Sequence, residues 1–155
     1  MKMCLVRLIL PLATLWVRRQ ERRILANGRP LSIEEKLDAR DAGVADVDRV
    51  RLMVLSPVPS PGGRLLSGFG RLTRFPMEPP SGMALGHGIY LDTRVAGQRR
   101  IFLHECVHIS QYERLGGIRP FLRRYLEECL RDSYWNSAME REANAIADRV
   151  CRGEI

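Results

Sequence analysis

Two histidines four residues apart, with a glutamate between them, constrain this chain more than anything else in it: His104-Glu105-Cys106-Val107-His108. The spacing has chemical meaning on an α-helix, where residues i and i+4 share a face and both imidazoles reach one ion. The flanks agree. From Gln98 to Glu113 the residues Ile101, Phe102, Val107 and Ile109 make a broad apolar side, and Gly116-Gly117 supplies a stop. Zinc accepts imidazole nitrogen at about 2.0–2.1 Å, and a catalytic site keeps one position for water. A glutamate directly after the first histidine is placed to take a proton from that water. His104 and His108 are therefore the expected metal ligands, and Glu105 the expected general base.

Two imidazoles need a third protein ligand. A later helical stretch offers Glu140 and Glu142 in the run from Asn136 to Asn144. Glu140 and Asn144 are spaced i, i+4, so Asn144 can hold the outer nitrogen of a ligand histidine and fix its tautomer. Glu142 is followed six residues on by Asp148, a poorer match to helical spacing. Either glutamate can instead pair with Arg141 or Arg149 on a solvated face. The spacing favours Glu140 and leaves Glu142 open.

An HExxH motif followed by a glutamate on a later helix resembles the gluzincin branch of zinc metallopeptidases. The stretches HECVHISQYERLGG, FLRRYL and AMEREAN are similar to a group of largely uncharacterised bacterial zincin-like domains. They also resemble the E-x-x-A-N helix of regulatory metalloproteases that cleave repressors. The likeness covers about residues 82–148. It implies Zn2+ held by His104, His108 and Glu140, Glu105 as the base, and a peptide or protein substrate. The family often has Asp four residues after the ligand glutamate, where this chain has Asn144. That departure and the small size support a second expectation, a catalytically inactive zincin-like domain that binds metal and a partner.

Elsewhere the pattern is helices, a small sheet, then three helices, so the expected class is α+β: a small zincin-like domain, mostly helical, with a short sheet beside the HExxH helix. Residues 1–26 form an N-terminal basic and apolar helix, and 27–155 the metallopeptidase-like domain. Ser32 and Glu35 make a capping box for a helix ending near Ala42. Val50 to Leu55 reads as a buried strand, and Met83 to Asp92 as a second, interrupted near Gly86-His87-Gly88. The zincin resemblance makes this second strand the peptide-binding one. Residues 57–82, rich in Pro, Gly and Ser, are expected to be a long loop serving as a lid or specificity element. The helix after Gly116-Gly117 carries Pro120 in its first turn and an apolar stripe through Phe121, Leu122, Tyr125, Leu126, Cys129 and Leu130. The last runs from about Ser137 to Cys151. His87 is a candidate oxyanion donor or ligand, against the plainer reading of a solvated turn residue. Tyr112, Tyr125 and Tyr134 are candidates for transition-state hydrogen bonding, against a core or rim role.

The formal charge of +7 is concentrated. Residues 1–30 hold seven basic side chains and one acid, Glu21, whereas the other 125 residues hold 18 basic and 17 acidic groups. A phosphate-binding face needs cations clustered on the folded body, so nucleic acid is not an expected partner. The four cysteines show no CxxC spacing, and Cys106 and Cys129 read as buried free thiols, which suits a cytoplasmic protein. Leu8 to Val17 is apolar and closed by Arg18-Arg19, shorter than the ~20 residues of a membrane span. A packed helix, an interfacial helix drawn to anionic lipid through residues 1–23, and a truncated anchor all fit it.

Overall fold

The computed structural model describes residues 2–61 and 80–155. Among these, five helices and a 3-10 turn surround a four-stranded mixed sheet, an α+β fold. In chain order the elements are α1 (Lys2–Asn27), β1 (Arg29–Pro30), α2 (Ile33–Asp41), β2 (Arg51–Leu55), β3 (Gly82–Leu85), β4 (Gly88–Asp92), α3 (Arg99–Leu115), α4 (Ile118–Asp132) and α5 (Ala138–Cys151). The 3-10 turn Tyr134–Asn136 joins α4 to α5.

Helix starts are written locally. Ser32 Oγ accepts from the Glu35 N–H at 3.2 Å while the Glu35 carboxylate accepts from the Ser32 N–H at 2.7 Å, closing the expected capping box of α2. Helix α5 begins under two acceptors. Ser137 Oγ accepts from the Glu140 N–H at 3.2 Å, and the buried Glu128 of α4 accepts from the Met139 N–H at 3.0 Å. Both satisfy amides that have no partner inside the helix, and the carboxylate also faces the positive end of the helix dipole.

The sheet order is β1-β2-β4-β3, with β2 and β4 parallel and β3 and β4 antiparallel. The strand expected over Met83–Asp92 with an interruption near Gly86-His87-Gly88 is a tight hairpin, broken at that place. Gly86 and His87 form its two-residue turn, and Gly86 takes φ 64°, which a primed hairpin turn demands at that place. Val50–Leu55 was expected to be a buried strand and is only partly so. Its burial falls off along the strand: Val50 and Leu52 are inside, whereas Val54, on the same face, is 42% exposed. Every residue of β4, which is flanked by β2 and β3, is buried.

Helix α1 packs against α4 and across β4. Its Val6, Ile9, Leu10, Ala13, Val17 and Ile24 join the same apolar cluster as Ile89, Leu91, Leu103 and Val107. The N-terminal segment is thus a packed helix, yet its outer face carries Leu8, Leu12 and Leu15, each more than half exposed. Among the described residues no helix is long and apolar enough to cross a membrane. Most of the segment expected to act as a lid, residues 62–79, lies outside the described residues.

Candidate metal centre

Helix α3 presents His104 and His108 on consecutive turns, and α5 packs alongside and brings Glu140 to them. The two Nε2 atoms are 3.1 Å apart. Glu140 Oε2 lies 3.3 Å from His104 Nε2, and Glu140 Oε1 lies 3.3 Å from His108 Nε2. One ligand atom from each residue falls within 4.8 Å of the others. A tetrahedron built on zinc–ligand distances of about 2.0–2.1 Å has edges of roughly 3.4 Å, and the 3.1 Å between the two Nε2 atoms and the 3.3 Å from each of them to one or other Glu140 oxygen are separations of that size.

The outer ring nitrogens decide which way the lone pairs point. Asn144 Oδ1 accepts from Arg100 at 3.3 Å, which fixes it as the oxygen, and it lies 3.2 Å from His104 Nδ1. His104 must therefore carry its proton on Nδ1 in the neutral form. Gln111 Nε2 donates to Met139 O at 3.0 Å and to Glu142 at 2.8 Å, which turns Gln111 Oε1 toward His108 Nδ1 at 2.8 Å. His108 Nδ1 is a donor by the same reasoning. Neutral imidazoles held this way aim two Nε2 lone pairs and a carboxylate at a common point, which is a cation's donor set.

The cluster favours positive charge at its centre. Burial disfavours charge on His108, but the Glu140 carboxylate outweighs it and pushes the imidazole up to about 9. Burial likewise opposes ionisation of Glu140, and its neighbours His104, His108 and Tyr125 hold it well below the usual carboxylate range. Tyr125 Oη donates to Glu140 Oε1 at 2.5 Å.

Glu105 is buried, at 6% exposure, on the α3 side that faces β3. Burial raises its pKa, opposed by the neighbouring His104 and His108 and by the Ala84 amide, and reinforced by Glu140. A carboxyl held above its ordinary value beside two imidazoles is suited to taking and returning a proton. Gly82 passes directly over it: a β-carbon there would lie 2.8 Å from Glu105 Oε1.

The other candidates fall elsewhere. Glu142 is paired with Arg114 at 2.8 Å and with Gln111, so the alternative third ligand has a different role. His87 sits in the β3–β4 turn, 2.9 Å from Glu113 through Nε2, and its N–H donates to Glu21 at 3.0 Å. It is neither solvated nor part of the cluster: it ties α1 and α3 to the hairpin. Tyr112 is a core residue stacked on Phe121 at 3.6 Å, with its hydroxyl donating to Ala84 O. Tyr134 is half-buried, and Glu140 is among the groups that raise its pKa. Cys106 and Cys129 are buried free thiols; burial pushes Cys106 well above its ordinary value and Cys129 up to about 12.

Sequence reasoning passed over Gln111 and Gly82. The signal for Gln111 was present, since it follows His108 by three residues and so shares its face. Gly82 has no local signal, because its importance arises only where two distant segments meet.

Comparison of the chain with protein-family models, with curated proteins and with solved structures finds no match in any of the three.

Proposed function

We propose that this chain is a zinc-dependent peptide hydrolase of the gluzincin kind. One observation carries the reading: two imidazoles with outward nitrogens fixed by Asn144 and Gln111 converge with the Glu140 carboxylate beside the buried Glu105. His104, His108 and Glu140 would hold the ion, which when bound polarises a carbonyl and lowers the pKa of a water.

The chain's own residues supply the rest. Glu105 takes a proton from the attacking water on its carboxylate and delivers it to the leaving amine. Tyr125 keeps Glu140 ionised and oriented. Strand β3 is a sheet edge, and an extended peptide can add to such an edge by main-chain hydrogen bonds. At Ala84 that edge is already engaged by Tyr112 and Glu105. The peptide-accepting position is therefore Gly82, whose backbone groups face the same side as those of Ala84.

The burial of Glu105 favours a second reading, in which the domain binds metal and a partner without turnover. Zinc content and turnover of a mixed-sequence peptide pool separate the two. The proposal expects one zinc per chain, loss of zinc in His108→Ala, and retained zinc with abolished cleavage in Glu105→Gln. Zinc bound by His108→Ala as by the parent chain would remove the metal site. Zinc binding by the parent chain with no cleavage of any peptide would favour the second reading.

A further inference from the structure

Helix α1 has two unlike faces. The inner one is core. Along the outer one, Leu8, Pro11, Leu12 and Leu15 fall at i, i+3, i+4 and i+7 and are all exposed. The next two turns of that face carry Arg18, Arg19, Arg22 and Arg23, also exposed, and Arg7 borders the leucines. Glu21, the acid of this segment, points away and accepts from the His87 N–H at 3.0 Å. Among the described residues none pairs in a salt bridge with Arg7, Arg18, Arg19 or Arg22. The outer face is therefore an apolar half followed by a cationic half, with no acid interrupting either.

We infer that this face docks on an anionic phospholipid surface. A bilayer offers the same two layers in the same order, acyl chains and then phosphates, so a tilted α1 can immerse its leucines while the arginines reach the headgroups. Polybasic segments are drawn to such a surface within a Debye length, and the near-neutral remainder of the chain places that attraction on α1 alone. A second copy of the chain fits the face poorly. Paired in parallel, the arginine clusters would repel; paired antiparallel, each cluster would cover the other's leucines. The helix lies on the membrane and does not span it. This inference is independent of the metal centre.

Co-sedimentation of the full chain with vesicles tests it, using phosphatidylcholine alone and phosphatidylcholine with phosphatidylglycerol. Binding is expected to the anionic vesicles, weakening at high salt. The triple variant Leu8→Ser, Leu12→Ser, Leu15→Ser should lower the partition coefficient at least about tenfold. The double variant Arg19→Gln, Arg22→Gln should weaken binding and flatten its salt dependence. Circular dichroism confirms that both variants are folded, since all five side chains are exposed. A parent chain that stays in the supernatant with both vesicle types overturns the inference, as does a folded leucine variant that binds equally well. A dimer in light scattering that the leucine variant dissolves would also overturn it, assigning the face to a second copy.

Discussion

Gly82 of the sheet edge stands so close to Glu105 that a β-carbon on it would lie 2.8 Å from the carboxylate oxygen and 3.0 Å from Cγ. Leu91 Cδ2, also at 3.0 Å, closes the other side. A side chain at this position must move the carboxyl, and small misplacements of a reacting group are costly in rate. Gly82→Ala is expected to lower peptide turnover at least about tenfold while zinc content stays at the parent level. Peptide turnover and metal analysis on the same preparation measure both, and full activity in the variant would contradict the placement of Glu105 as base.

Asn144 orients His104 from behind. Asn144→Ala removes that acceptor and should weaken zinc binding about 10–100-fold, the usual cost of losing such a partner. Competition with a chromogenic chelator reads the change. An affinity equal to the parent's would show that the ring is held by other contacts.

The start of α5 sets the position of Glu140. Ser137 is fully buried and accepts from the Glu140 N–H, so Ser137→Ala should cost about 1 kcal/mol. In a domain of this size that corresponds to a fall of roughly 2–4 °C in Tm. A thermal melt of the metal-free variant against the parent checks it.

The metal-free chain should show a defined pH dependence. His108 is raised from 6.5 to about 9, so its charged form contributes stability that is complete below about 6.5 and lost as pH rises through about 9. Glu140 is depressed, so its contribution is complete above its ordinary value of 4.5 and lost as pH falls toward its lower folded value. Tm without metal is expected to be higher near pH 6 than near pH 10, and His108→Gln should flatten that difference. Zinc must displace the His108 proton, so its affinity should climb up to about tenfold per pH unit until about pH 9. A pH-independent affinity across that range would show that no proton is exchanged.

The cluster of His104, His108 and Glu140 was legible because its parts are periodic. His104 to His108 and Glu140 to Asn144 are single helical turns, and helical geometry alone brings each pair to one face. The capping box of α2 was legible for the same reason, as a three-residue signature with one geometry. What escaped depends on approach between distant segments. The chain around Gly86 reads equally as an interrupted strand or a turn until β3 and β4 pair. His87 lies between Glu21 and Glu113, partners 66 and 26 residues away, and nothing beside it announces either.

Helix α1 places six apolar side chains in the interior, and Gln20 accepts from the Tyr90 hydroxyl at 3.0 Å. A fragment beginning after Asn27 would leave Ile89, Tyr90 and their neighbours facing water. Such a remnant would clump instead of refolding into a smaller working unit, so an expression vector for this protein has to retain its opening residues.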